Sequence, residues 1–240
     1  MIAAIALVAG IGLVAAGAVL LRRLGAGYRV ARLLAVAPTA TLAEISAMAA
    51  TGERRYVKGT GRVSSDEEFP DEDARPLVYR RRRIQRGDGA GGWVTIDEER
   101  HAVAFGVEDR STFVAIDADA LGYGLVVVPR ESTGVAIDLP ADLVARLSFP
   151  LEPDVPIRLR IEQVSAVEHA TVAGVPAIGP GGPMLTAGLG RPLIVSMVDQ
   201  AAAMRLLAGD RRGSALAAGM LIVLGLGSFA VAVVAVVTAR

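Results

Sequence analysis

The stretch that decides the fold covers residues 54–83 and reads RRYVKGTGRVSSDEEFPDEDARPLVYRRRR. It contains two runs typical of β-strands, at residues 54–63 and 76–83, and an acidic segment with a proline between them. This pattern predicts two strands joined by an acidic loop. Further short runs, separated by turns rich in glycine and proline, continue to residue 200. Together they predict an antiparallel sandwich or an open barrel.

Long apolar runs lie at both ends of the chain. Residues 1–21 and 214–239 contain no charged side chain. At about 1.5 Å of helix per residue, each run is long enough to cross about 30 Å of hydrocarbon. No basic residue precedes the first run, which is also longer than the core of a signal peptide, so cleavage is not expected. The two runs therefore predict two transmembrane helices.

The orientation of these predicted spans follows from the arginines beside them. The arginines cluster at the inner ends of both runs, at Arg22, Arg23, Arg29, Arg32, Arg205, Arg211 and Arg212. Basic residues near the ends of a span favour the cytoplasmic side. We therefore expect an integral membrane protein with two spans, a cytoplasmic central domain and both termini outside.

The predicted fold class is an α+β membrane protein in which two transmembrane helices flank a β-rich domain. Two helices are expected in the stem, because Pro38 interrupts the helical pattern, Thr41 and Glu44 have the spacing of a capping box, and Gly52 suits a helix end. The predicted parts are a first span, a helical stem, a β-rich domain, a short helix and a second span, at residues 1–23, 24–53, 54–200, 201–213 and 214–239.

Composition excludes several classes of function. The chain has no cysteine, which removes disulfides, thiolate nucleophiles and thiolate zinc sites. Basic and acidic residues are equal in number, 25 of each, so a general nucleic-acid binder is not expected. His101 and His169 form no metal-binding motif, and neither a phosphate loop nor a GxSxG elbow is present. The sequence therefore predicts no catalytic residue, no metal site and no cofactor.

The most prominent chemical feature is the run Arg80, Arg81, Arg82 and Arg83. On a strand, successive side chains alternate, so Arg80 and Arg82 would point to one face and Arg81 and Arg83 to the other. One interpretation is contact with anionic lipid headgroups. The other, which we prefer, is ion pairing with the acidic loop at residues 66–73. That loop lacks the spacing of a calcium-binding loop, so a solvated turn is expected there.

An enzyme built on carboxylates is the main alternative function. It would need a convergent group of acidic side chains, for which the candidates are Asp97, Glu98, Asp109, Asp117 and Asp119. A ligand-binding domain on the outer face of the membrane is a third possibility.

The organisation of the chain resembles the GIDE domain of the membrane-anchored mitochondrial E3 ubiquitin ligase family. The resemblance rests on YVKGTGRV with Gly52, Val57 and Gly59, and on RPLVYRRRRIQR with residues 76–79. Residues 157–178 and 190–197 resemble later strands of the same domain. The family's ligase activity requires a RING finger of cysteine and histidine, and this chain has no cysteine.

The resemblance therefore implies the membrane and domain part of that family without ubiquitin transfer. We expect an interaction or scaffold module at a membrane surface, with no visible catalytic site. Its expected partners are membrane lipids and membrane or membrane-recruited proteins, with no nucleic acid. The oligomeric state is left open.

Overall fold

The chain forms two compact units, residues 1–36 with 200–240, and residues 37–199. The computed structural model describes residues 2–89, 92–147, 149–198, 202 and 212–238. Within these, the side chains of residues 2–6, 20–28, 142, 212–216 and 231–238 are not described.

The first unit contains two long helices, α1 (Ile2–Val36) and the last helix of the chain, α4 (Arg212–Thr238). Small residues allow their backbones to approach closely. A Cβ atom on Gly17 would lie 2.7 Å from Cγ1 of Ile222, and one on Gly225 would lie 2.6 Å from Cγ2 of Val14. Close packing of the two helices at glycine residues therefore defines this unit.

The prediction of two transmembrane helices at residues 1–23 and 214–239 is wrong: among the described residues, no helix is long and apolar enough to cross a membrane. An apolar run indicates that its side chains need to be buried, but it does not indicate what buries them. Here the packing of one helix against the other buries part of the run.

The predictions that depended on those spans are wrong with them. They are the membrane-protein part of the fold class, the integral membrane localisation, and the cytoplasmic placement of the central domain with both termini outside. The short helix expected at residues 201–213 lies mostly outside the described residues.

The second unit begins with helix α2 (Leu42–Thr51). Its predicted caps are confirmed: Thr41 and Glu44 form a capping box, and Gly52 ends the helix in the left-handed conformation with φ 71°. The separate stem helix expected before Pro38 is instead the end of α1, which continues to Val36. Leu42 and Ile45 are fully buried and bring α2 into the core of the β-rich unit.

Twelve strands are described in this unit. In chain order they are β1 (Val57–Ser64), β2 (Phe69–Pro70), β3 (Pro76–Gly87), β4 (Trp93–Ala102), β5 (Gly106–Asp109), β6 (Thr112–Ile116), β7 (Leu125–Val126), β8 (Arg130–Val135), β9 (Pro156–Ser165), β10 (His169–Gly179), β11 (Gly182–Thr186) and β12 (Ile194–Ser196). A 3-10 turn (Ala136–Asp138) and helix α3 (Ala141–Arg146) follow β8.

Seven of these strands form a sheet in the order β1-β5-β6-β11-β10-β12-β7, and β1 also pairs with β10. The extra pairing closes β1, β5, β6, β11 and β10 into a ring, with β12 and β7 as an extension. The predicted β-rich domain is thus confirmed in its strand content. An open barrel was one expectation, whereas the ring is closed. Two of the strand pairs, β6–β11 and β7–β12, are parallel.

The other five strands form a second sheet with β3 at its centre. β4 and β2 pair with one edge of β3, β9 pairs with the other, and β8 lies beyond β9. The main core fills the ring and reaches β3 at Val78 and Tyr79. A smaller second core lies between this sheet and α3, around Ile84 and Leu143. The arginine run therefore lies on the central strand of the second sheet.

Candidate anion-binding groove

The register of the second sheet decides where the four arginines point. Across β3 and β9, Arg81 lies opposite Glu162 and Arg83 opposite Arg160, whereas Arg82 lies opposite Ile161. Opposed residues share a face of the sheet. The predicted alternation is confirmed by the contacts below: Arg81 and Arg83 share one carboxylate, while Arg80 and Arg82 line a cavity on the opposite face.

The first face carries a buried ion-pair network centred on Glu162. Nε of Arg81 donates to Oε2 of Glu162 over 2.6 Å, and Nη2 of Arg83 donates to Oε1 over 2.5 Å. Arg160 contacts the same Oε1 over 3.2 Å. The exposed fractions of Arg81 and Glu162 are only 5% and 4%. Burial lowers the pKa of Arg83 from its ordinary value, and the Glu162 carboxylate opposes that effect. This face is therefore a structural network with little access for a ligand.

The opposite face carries a smaller network centred on Glu99. Nε of Arg82 donates to Oε2 of Glu99 over 3.0 Å, and Arg146 of α3 donates to the same carboxylate and to Asp97. The hydrogen bond from Arg146 is the largest cause that holds the pKa of Glu99 below its usual value, with a further contribution from Arg82. This carboxylate therefore joins α3 to the two strands β3 and β4.

We expect the protein to lose stability as the pH falls below about 4.5, near the ordinary pKa of a glutamate. Because the pKa of Glu99 is lowered in the folded state, its ionised carboxylate stabilises the fold at pH values above the unfolded-state pKa. This stabilisation is lost as the carboxylate is protonated. Glu99→Gln should therefore flatten the dependence of unfolding free energy on pH between about pH 5 and 3. The measurement is urea denaturation of the full-length protein across this range. Glu152→Gln, at an exposed glutamate with no ion pair among the described residues, should leave the slope unchanged.

Beside the Glu99 network lies a cavity of about 300 Å³ that we call the arginine groove. It is lined by three arginines from two strands, Arg80 and Arg82 of β3 and Arg130 of β8. Glu72 and Glu131 also reach it, but Glu131 pairs with Arg158 and Arg160. The remaining lining residues are Ser132, Pro140, Leu143, Leu159, Ile161 and Gln163.

Arg80 differs from the other arginines of the groove in its partners. Arg82 pairs with Glu99, and Arg130 pairs with Asp73 over 3.0 Å. Among the described residues, Arg80 has no carboxylate partner; its guanidinium lies 5.7 Å from the ring centre of Phe69. The same ring makes an edge contact with His101 at 4.3 Å. Arg80 therefore brings to the groove a positive charge that forms no ion pair with a carboxylate among the described residues, although Glu72 lines the same groove.

The expected pairing of the arginine run with the acidic loop at residues 66–73 is wrong. The carboxylate partners of Arg81, Arg82 and Arg83 lie on β9 and β4. Asp71 instead folds the loop upon itself, because the backbone N–H groups of Asp73 and Arg75 donate to its carboxylate. The Arg75 backbone bond is the largest cause of a lowered Asp71 pKa. The loop was expected to supply the carboxylate partners because it is close to the arginines in the sequence. The sheet register, however, places the carboxylates of β4 and β9 closer to them.

Four of the five carboxylates proposed for an enzyme, Asp97, Glu98, Asp109 and Asp117, have separate surroundings. Asp97 pairs with Arg146, Glu98 with Arg100, and Asp117 accepts a hydrogen bond from Thr186. Asp109 lines an open cavity of about 720 Å³ that is also lined by His169. His101 lies instead against Phe69 in the second sheet. Among the described residues, no group of three metal-ligating side chains is present.

The groove residues that the sequence reasoning missed include Arg130 and Gln163. Arg130 stands alone in its segment and carries no motif, and Gln163 is one polar residue in an ordinary alternating strand. The signal that could have found them is the pairing of β8 and β9 with β3, which a single sequence does not specify.

No protein-family model matches the chain, and neither a curated protein nor a solved structure matches it. The resemblance to the GIDE domain therefore stays a prediction, and no function is inherited from a relative.

Proposed function

We propose that the β-rich unit is a binding module that holds an anionic group in the arginine groove. The observation that carries the proposal is the convergence of Arg80, Arg82 and Arg130 on one cavity, with Arg80 lacking a carboxylate partner among the described residues. Guanidinium groups match carboxylates and phosphates in both charge and geometry. An anion in the groove would supply the counter-charge that Arg80 lacks.

The partners of the other two arginines are compatible with a ligand. Arg82 uses Nε and Nη2 for Glu99, and Arg130 uses Nη2 for Asp73 and Asp71. A guanidinium has five N–H donors, so each retains donors for a further acceptor. The ion pairs also fix both side chains before a ligand arrives, which reduces the entropy lost on binding.

A catalytic function has less support than binding. Among the described residues that line the groove there is no histidine, and the carboxylates are those of Glu72 and Glu131. Glu131 is held by Arg158 and Arg160 at 3.5 and 3.0 Å. Glu72 is the lining carboxylate without an ion pair among the described residues, and a single exposed carboxylate with no histidine beside it favours binding over chemistry.

We expect inorganic phosphate to stabilise the full-length protein through Arg80. At a phosphate concentration ten times its Kd, the melting temperature should rise by about 3–5 °C relative to sodium chloride of equal ionic strength. Arg80→Gln should remove most of this rise, because it removes the groove guanidinium that has no carboxylate partner among the described residues. The measurement is thermal unfolding followed by the fluorescence of Trp93, the single tryptophan.

The matched control is Arg86→Gln, at an exposed arginine of the same strand that does not line the groove. This variant should retain the phosphate effect of the wild-type protein. Equal phosphate effects in all three proteins would show that general electrostatics, not the groove, explains the stabilisation.

A further inference from the structure

The floor of the arginine groove is apolar. Leu159 and Ile161 of β9 lie between the arginines of β3 and β8, since Ile161 is opposite both Arg82 and Arg130 in the sheet register. Leu143 of α3 also lines the cavity and belongs to the second core. A bare inorganic anion would contact the arginines and leave this apolar surface in contact with water.

The arrangement separates two kinds of contact within one cavity. The charged side chains of Arg80 and Arg130 come from the two flanking strands, and the apolar side chains come from the strand between them and from α3. Ligand pockets combine a mainly apolar lining with a few polar groups that fix the orientation of the ligand. A ligand with both an anionic head and an apolar body would satisfy both surfaces.

We infer that the groove takes a small amphiphilic anion, with a phosphate or carboxylate head at the arginines and a short apolar chain over Leu159 and Ile161. This inference rests on the proposed function, since it assigns a ligand class to the same site. A cavity of about 300 Å³ has the volume of about ten water molecules. It can hold such a head with a chain of roughly six carbon atoms.

The test is isothermal titration of the full-length protein with inorganic phosphate and with alkyl phosphates of increasing chain length. The affinity should rise about four-fold per methylene, equivalent to about 0.8 kcal/mol, and should level off near six carbons when the groove is full. A parallel series of alkyl carboxylates should show the same dependence on chain length, which separates the contribution of the head from that of the chain.

Two isoleucine variants make the test specific. Ile161→Thr keeps a β-branched side chain on the strand and should lose at least half of the gain per methylene while it still binds inorganic phosphate. Ile178→Thr, at an exposed isoleucine of β10 outside the groove, should retain the wild-type gain.

The outcomes distinguish this inference from the proposed function. Phosphate binding that requires Arg80 but does not depend on chain length in the wild-type protein would overturn the amphiphilic ligand and leave the anion site intact. Absence of any Arg80-dependent phosphate binding would overturn both. An equal loss in the Ile161→Thr and Ile178→Thr variants would also overturn the assignment of the chain to this groove.

Discussion

Glu162→Gln is expected to destabilise the full-length protein by about 3–5 kcal/mol. The substitution keeps the shape of the side chain and removes the charge that balances Arg81, whose exposed fraction is 5%. Arg83 and Arg160 would lose the same partner. A buried guanidinium without a counter-charge carries a desolvation cost that a neutral amide only partly offsets. Urea denaturation followed by Trp93 fluorescence measures the effect.

Two further variants test whether burial is the reason. Glu98→Gln removes a carboxylate from the same sheet, where it pairs with the half-exposed Arg100, and should cost less than about 1 kcal/mol. The double variant Arg81→Met and Glu162→Met removes the central pair together and should be more stable than Glu162→Gln alone. If the double variant were the less stable of the two, the loss would have to come from packing and not from an unbalanced charge.

Local chemistry in the sequence predicted the parts of the fold that local interactions decide. The caps of α2 follow from Thr41, Glu44 and Gly52, which act within one turn of the chain. The alternation of the four arginines follows from the geometry of a strand. Strands β9 and β10 also lie within the short strand-like runs that the sequence shows before residue 200. These features depend on neighbours a few residues apart, so one sequence was enough.

The features that were missed depend on distant neighbours. β11 (Gly182–Thr186) reads as a turn rich in glycine and proline, and becomes a strand because it pairs with both β10 and β6. The closed ring depends on β1 and β10, whose paired residues lie more than 100 positions apart. The apolar ends illustrate the same limit, because their hydrophobicity predicted transmembrane helices, whereas among the described residues no helix is long and apolar enough to cross a membrane.

Part of the candidate site could be predicted from the sequence. Arg80 and Arg82 stood out as part of an arginine run, and the strand period separated them from Arg81 and Arg83. Their ion-pair partners and Arg130 came from other strands, which the sheet register supplies. A run of like charges therefore identified the strand, and only the tertiary structure distinguished the buried network from the open groove.

Gly124→Ala is expected to destabilise the protein by about 3 kcal/mol. Gly124 precedes β7, where its carbonyl accepts a hydrogen bond of 3.1 Å from the backbone N–H of Val195. A Cβ atom at this position would lie 2.9 Å from the carbonyl carbon of Leu193 and closer still to its oxygen. Both are backbone atoms, so rotation of a side chain cannot relieve the overlap. The pairing of β7 with β12 must open, and urea denaturation measures the cost.

Gly122→Ala is the matched control, since it adds the same methyl group to the same loop. A Cβ atom at Gly122 would meet nothing within 4 Å, and the residue has no positive φ angle. Its carbonyl accepts a hydrogen bond from Nη1 of Arg81, a contact that a methyl group on Cα does not remove. We expect no loss of stability, and a gain of up to about 1 kcal/mol from the reduced freedom of the unfolded chain. Similar values for the two variants would contradict the close approach of this loop to Leu193, and with it the parallel pairing that extends the ring.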